Sequence, residues 1–247
     1  NYLSISKAQE IPSSFADLAE KLMPSVVNIS TTTTVTTRSN PLPFEFPPGS
    51  PFEDMFGSPQ QRQTSALGSG FIIDEEGIVI TNNHVIQGAS DIFVRVNGDE
   101  DYKAEVLGAD AGMDIAVLKI KSDEKFKPVK FGNSDKSRIG DWVIAIGNPF
   151  GLGGTVTAGI ISARNRSIGL SRYEDYIQTD ASINQGNSGG PLFNMSGDVI
   201  GINTAILGQS GSIGIGFAIP SNSAQKVIEQ LIEFGETKRG WLGVRIQ

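Results

Sequence analysis

Apolar and β-branched residues come in short bursts along the chain, each stopped by Gly, Asp or Asn. Up to residue 120 these are VVNISTTTTV (26–35), GSGFIID (68–74), GIVITN (77–82), DIFVRVN (91–97), YKAEVLGAD (102–110) and DIAVLKI (114–120). The charged connector KSDEKFKPVKFGNSDKSR follows. Then come DWVIAIGN (141–148), TVTAGIISA (155–163), DYIQTD (175–180), PLFN (191–194), DVIGINTAIL (198–207) and GIGFAIP (214–220). Short runs between turn residues read as strands. Two such sets predict an all-β fold of two packed antiparallel barrels, because closing each sheet removes its exposed edges. The first barrel spans about 24–125 and the second about 138–220. Two segments carry helical spacing instead. Ser13 or Ser14 caps a short helix whose apolar face is Phe15, Leu18 and Leu22. SNSAQKVIEQLIEFG (221–235) combines a Ser cap, the apolar set Val227, Ile228, Leu231 and Ile232, and a Gly235 stop.

One stretch breaks the rhythm. Residues 39–66 hold six of the twelve prolines, which excludes barrel strand and predicts a long inserted loop. Its Phe44, Phe46, Phe52 and Phe56 point to docking, since disordered linkers are poor in aromatics. At the other end, RGWLGVRIQ (239–247) resumes strand character after GETKRG and reads as the start of another module.

Composition narrows the function. With 29 Gly and only 19% charged residues the chain has the profile of a turn-rich β protein. Its 27 acidic against 20 basic residues give a net charge of −7, which argues against sequence-independent nucleic-acid binding. The lack of Cys removes disulfides, thiolate metal sites and a cysteine nucleophile. No apolar run approaches the roughly 18 residues of a membrane span, so peripheral membrane contact at most is expected. The opening NYLSISKAQE lacks a basic and an apolar leader region, so a signal peptide is either absent or already removed.

Chemistry concentrates in NQGNSGGP (184–191), where one serine stands among three glycines. A serine hydroxyl is a poor nucleophile until a base takes its proton. The chain has one histidine, His84, at the end of the run GIVITN. The imidazole in turn needs a carboxylate to hold its tautomer. Asp114, at the start of DIAVLKI, is the best placed, although Asp91, Asp101 and Asp110 are rivals that spacing alone does not eliminate. Chain order selects the scaffold. An α/β-hydrolase needs a histidine after the serine, and none follows Ser188. The order His84, Asp114, Ser188 fits two β-barrels, with the first two residues from one and Ser188 from the other. The glycines then clear space for an oxyanion hole made by the N–H groups of Gly186 and Ser188, with Asn187 lining the turn. The glycine runs GLGG (151–154) and GSIGIG (211–216) lack G-K-[ST] and a βαβ setting, so antiparallel turns explain them better than a nucleotide site. No cofactor or metal is expected.

TNNHVI, DIAVLKI, DASINQGNSGGP and GIGFAIP together resemble the HtrA family of serine proteases (DegP/DegQ type), over residues from about 11 to 240. The resemblance implies a chymotrypsin-like double barrel over 1–238 and, at 239–247, the beginning of a truncated PDZ domain. It implies ATP-independent degradation of unfolded or damaged proteins, with chaperone behaviour, in the bacterial periplasm. A homotrimer is implied, with Tyr2 to Phe15 adding contacts, and higher oligomers of trimers in a full-length protein. Ile183, Leu207 and Ile215 resemble the family's specificity pocket, uncharged and suited to small aliphatic side chains. Arg166, in the loop 164–174, matches the family's regulatory sensor arginine and is expected to bond the carbonyls of Ser182–Gln185. The alternative is a chaperone-like holdase that binds unfolded chains with little turnover.

Overall fold

The computed structural model describes residues 12–37, 60–98, 100–148, 154–169, 173–184, 186–206 and 214–240. Within them the first set of bursts forms β1 (Val26–Thr37), β2 (Gln60–Ile72), β3 (Ile78–Thr81), β4 (Asp91–Val96), β5 (Glu100–Asp110) and β6 (Ile115–Ile120). These pair antiparallel in the order β1-β2-β3-β6-β5-β4 and close where β4 meets β1. The second set forms β7 (Trp142–Gly147), β8 (Thr155–Arg166), β9 (Tyr176–Thr179), β10 (Pro191–Asn194), β11 (Val199–Ile206) and β12 (Gly216–Pro220). It closes in the order β10-β11-β12-β9-β8-β7. The double antiparallel barrel expected from the pattern is the fold observed. Helices α1 (Ala16–Leu22), α2 (Asn83–Ile86) and α3 (Ser221–Phe234) complete the elements used below.

The run IAVLKI of β6 shows little alternation because both of its faces are covered. Ala116, Leu118 and Ile120 join Val27, Ile29, Ile72, Val79 and Val94 inside the first barrel. Ile115 and Val117 face the other way, into a seam shared with Phe71 and Ile80 and with Ile144, Phe193 and Ile202 of the second barrel. The second barrel has its own filling around Val143, Ala145, Ile161 and Leu192. Helix α3 lays Ala224, Val227, Ile228 and Leu231 into the same seam. At about 25 cal/mol per Å² of apolar surface, burying such a side chain fully contributes about 1.5–3 kcal/mol, so this seam is what fixes one barrel against the other.

Two local expectations are corrected and one pair of alternatives is settled. Strand β2 begins at Gln60, inside the stretch read as loop, with Gln60 paired to Thr37. All six prolines of that stretch precede residue 60, so nothing in QQRQTSA forbids the ladder. Ser221 does not cap α3: its hydroxyl donates to the Gly132 carbonyl at 2.7 Å, and the Asn222 N–H is accepted by Ser134 Oγ at 3.2 Å. At α1, Ser14 rather than Ser13 accepts the Ala16 N–H at 3.1 Å, and Phe15 rests against Trp142 with ring centroids 5.7 Å apart. Residues 1–11, most of the Phe-rich insertion and residues 241–247 lie outside the described residues.

Candidate active site

The first barrel delivers a base and a carboxylate. Strand β3 ends at Thr81, and the single turn of α2 carries His84 at the barrel rim. His84 Nδ1 lies 2.7 Å from Asp114 Oδ2, and the His84 N–H donates to Asp114 Oδ1 at 2.9 Å. Asp114 is the last residue of the turn before β6 rather than the first of the strand, and its φ is +56°. A non-glycine residue there carries a cost of about 1–2 kcal/mol. Asn82 helps hold it, since its side-chain amide donates to the Asp114 carbonyl at 2.8 Å. From the second barrel, Thr204 of β11 donates to Asp114 Oδ2 at 2.7 Å. With Nδ1–H engaged by the carboxylate, Nε2 keeps its lone pair and can accept a proton. The ring is 47% exposed while the carboxylate is 22% exposed, so the base is open to a substrate and its partner is sheltered.

The rival carboxylates have other partners. Asp91 pairs with Lys103 at 2.7 Å and Asp101 with Arg95 at 2.6 Å. Asp110 is the informative one, because its side chain is only 1% exposed. Burial pushes its carboxyl up, but Arg239 Nη1 at 2.7 Å, the Thr237 hydroxyl and the Met113 N–H outweigh that and hold it below the usual carboxylate range.

The second barrel presents Ser188 through main chain. The Asn187 N–H donates to the Asn184 carbonyl at 3.0 Å and the Gly190 N–H to the Asn187 carbonyl at 2.9 Å. Gly189 and Gly190 are stitched to Asn203 of β11 by bonds of 2.8 and 2.9 Å. Across the seam, the Ser69 N–H of β2 donates to the Ser188 carbonyl at 2.9 Å. Gly189, at φ +83°, leaves no room: a Cβ there would sit 2.2 Å from the Ser69 carbonyl oxygen and 2.3 Å from Thr81 Oγ1. The serine turn is thus pressed onto the rim that carries Thr81 and, three residues on, His84. Gly186 sits at φ +102°, a conformation open to glycine. Among the described residues no group accepts the N–H of Gly186 or Ser188, so both remain free to meet an oxyanion. Asn187 differs: its N–H is spent on Asn184 and its buried side chain donates to the Ser182 carbonyl at 3.2 Å, so it lines the turn without adding a donor. The Ser188 hydroxyl makes no hydrogen bond to the ring among the described residues; such contacts commonly tighten only with substrate bound.

The remaining assignments are only partly assembled. Ile183 is buried with Val143 and Ile161 and lies against Gly216, whereas half-buried Ile215 packs on the inter-barrel seam. Leu207 lies outside the described residues. Arg166 ends β8 instead of sitting in a loop, and its Nε donates to Gln178 Oε1 at 3.2 Å; no described bond joins it to Ser182, Ile183 or Asn184. Sequence reasoning missed Ser69 and Thr204, which stand in no catalytic motif, and Asn82, which stands inside TNNHVI without a role read from it. Among the described residues no group of three or more His, Asp or Glu is placed to hold a metal, and no helix is long and apolar enough to cross a membrane.

Comparison with known proteins gives this geometry a lineage. The model of the trypsin-like peptidase domain matches residues 68–202. The periplasmic serine endoprotease DegP of Escherichia coli (strain K12) is 46% identical over 264 residues, covering 98% of this chain and 56% of the relative. A probable periplasmic serine endoprotease, DegP-like, of Marinomonas sp. (strain MWYL1) is 49% identical, covering 98% of this chain and 55% of the relative. The chain therefore spans about half the length of the curated relatives it matches. Among solved structures, the HtrA-type protease AlgW with decapeptide superposes with a TM-score of 0.79 at 46% identity, covering 95% of this chain and 72% of the other. The same protease with tripeptide gives 0.79 at 43% identity, with 95% and 68% covered. By sequence and by fold the chain belongs to the HtrA-type branch of the trypsin-like serine peptidases.

Proposed function

We propose that the chain is an ATP-independent serine endopeptidase that cuts unfolded or damaged polypeptides through an acyl-enzyme. The observation that carries this reading is the Asp114–His84 pair, clasped from both barrels beside the Ser188 turn. Ser188 Oγ attacks the scissile carbonyl while His84 Nε2 takes its proton. Asp114 holds the Nδ1–H and offsets the charge of the imidazolium. The oxyanion is received by the N–H groups of Gly186 and Ser188. Collapse of the tetrahedral species breaks the C–N bond, and His84 returns the proton to the leaving amine. Water, deprotonated by the same imidazole, then releases the acyl group. Preorganised donors of this kind are worth about 10²–10³ in kcat each.

The side chain before the cut is small and aliphatic, on the resemblance of Ile183, Leu207 and Ile215 to the family's pocket. A peptide library dominated by cleavage after Lys or Arg overturns that preference. The periplasm is the proposed compartment, as the names of the curated relatives print it. The resemblance also underlies a homotrimer, a chaperone-like hold on unfolded chains, a PDZ module opening at 239–247 and a regulatory role for Arg166. The test is cleavage of casein by the purified chain and by its Ser188→Ala variant. Cleavage by the first and not the second is expected. A wild-type chain that suppresses aggregation of unfolded protein yet cleaves nothing would replace the peptidase with a holdase.

A further inference from the structure

Ser69 is fully buried on β2 of the first barrel, yet its N–H and hydroxyl serve the second. Its N–H donates to the Ser188 carbonyl at 2.9 Å. Its hydroxyl donates to the Gly186 carbonyl and accepts the N–H of Asn148, the residue after β7, at 2.8 Å. Its own carbonyl accepts Thr81 Oγ1 at 2.7 Å. One serine therefore holds the carbonyls on both sides of the Asn187–Ser188 peptide. Through Thr81 it also ties them to the strand end that leads into His84.

The weak point of an oxyanion hole built on glycine is the glycine itself. At φ +102° Gly186 has no side chain to resist rotation of its flanking peptides. The Gly186–Asn187 peptide joins the two peptides that carry the Gly186 and Ser188 N–H groups, so a swing of it would drag both donors off the reacting carbonyl and break the Asn187 N–H bond to Asn184. Holding the Gly186 carbonyl removes that freedom, because a rotated peptide abandons the hydroxyl inside a seam where unpaired polar groups are costly. Packing alone would be served equally well by alanine; the hydroxyl is needed only by the two main-chain groups it bridges.

We propose that Ser69 is a positioning residue for peptide hydrolysis, its hydroxyl keeping the Gly186 and Ser188 N–H groups aimed at the oxyanion. This rests on the peptidase reading above. Ser69→Ala should lower kcat about tenfold to a hundredfold, short of the 10²–10³ for outright loss of a donor, with kcat/KM falling by the same factor and KM nearly unchanged, as for an interaction made only in the transition state. A peptide aldehyde, whose hemiacetal oxygen occupies the oxyanion position, should lose affinity in proportion to kcat/KM. In a Ser188→Ala background, binding of the uncleaved peptide should be unchanged by adding Ser69→Ala, which also reports that the protein is folded. Ser69→Cys, with its weaker donor, should fall between alanine and wild type. Unchanged kcat in Ser69→Ala overturns the proposal, as does a loss of peptide binding parallel to the loss of turnover, since that marks a structural role. A wild-type chain without turnover instead sinks the peptidase reading, so the two failures are distinct.

Discussion

At the first-barrel edge of the cleft His84 is held by side chains, and at the second-barrel edge Ser188 is held by main chain. Asp114 receives the His84 ring, the His84 N–H and the Thr204 hydroxyl. The Ser188 turn instead relies on main-chain bonds with Asn184, Asn203 and Ser69, and on glycines where a Cβ would collide. The difference follows from the task of each edge. A base must carry a changing charge, which a hydrogen-bonded carboxylate offsets. A nucleophile and its oxyanion donors need accurate placement of peptide units, which main-chain bonds and the single Ser69 hydroxyl supply. One edge is therefore vulnerable to changes in charge and the other to changes in shape.

The sharpest break on the charge side is Asp114→Asn. It preserves size but removes the anion and the tautomer control, and kcat should fall by about 10⁴ while the melting curve moves little. Retained turnover would reassign the carboxylate. On the shape side, Gly189→Ala forces a Cβ into the Ser69 carbonyl and Thr81, with no flexible side chain able to yield. It should abolish peptide cleavage and also lower the melting temperature by several degrees, at about 2–4 °C per kcal/mol for a domain of this size. Unaltered melting would show that the turn is less tightly seated than the geometry indicates.

What the pattern of residues disclosed follows the same division. Strand bursts, the lone His84 and the glycine-framed Ser188 announce themselves locally. The pairing of Asp114 with His84 does not, because Asp91, Asp101 and Asp110 look alike until Lys103, Arg95 and Arg239 are brought to them by folding. Thr204 and Ser69 were invisible for a related reason. Each meets its target across about a hundred residues, and an unadorned hydroxyl carries no periodic signal. The start of β2 was hidden too: QQRQTSA has no apolar rhythm, and only its ladder to β1 makes it strand.

A smaller effect is expected where the barrels share a load. Thr204→Val removes one of three donors to the Asp114 carboxylate, so kcat should drop about tenfold, the equivalent of 1.4 kcal/mol, with the His84–Asp114 bond surviving. A loss as large as that of Asp114→Asn would make Thr204, not Asp114, the main organiser.

Smallest for catalysis is Arg239→Ala. Arg239 is 36% exposed and its partner Asp110 is 1% exposed, so the variant should cost about 2 kcal/mol, within the range for a charged hydrogen bond, and leave turnover at neutral pH nearly unchanged. Because the Asp110 carboxyl is held low in the fold, its contribution is present above the ordinary carboxylate pKa of about 3.9. It is lost as pH falls through the folded value. Melting curves of wild type and Arg239→Ala should therefore converge on acidification below about pH 4. A constant gap down to strongly acidic pH would remove Asp110 as the cause.

The peptidase reading depends on Ser188 being a nucleophile activated by His84. Reaction of the purified chain with a serine-directed fluorophosphonate, followed by mass mapping, checks this in one step. A single adduct on Ser188 is expected, formed rapidly by the wild-type chain and lost on His84→Ala. Labelling at another serine, or labelling of Ser188 that proceeds equally well without His84, would contradict it.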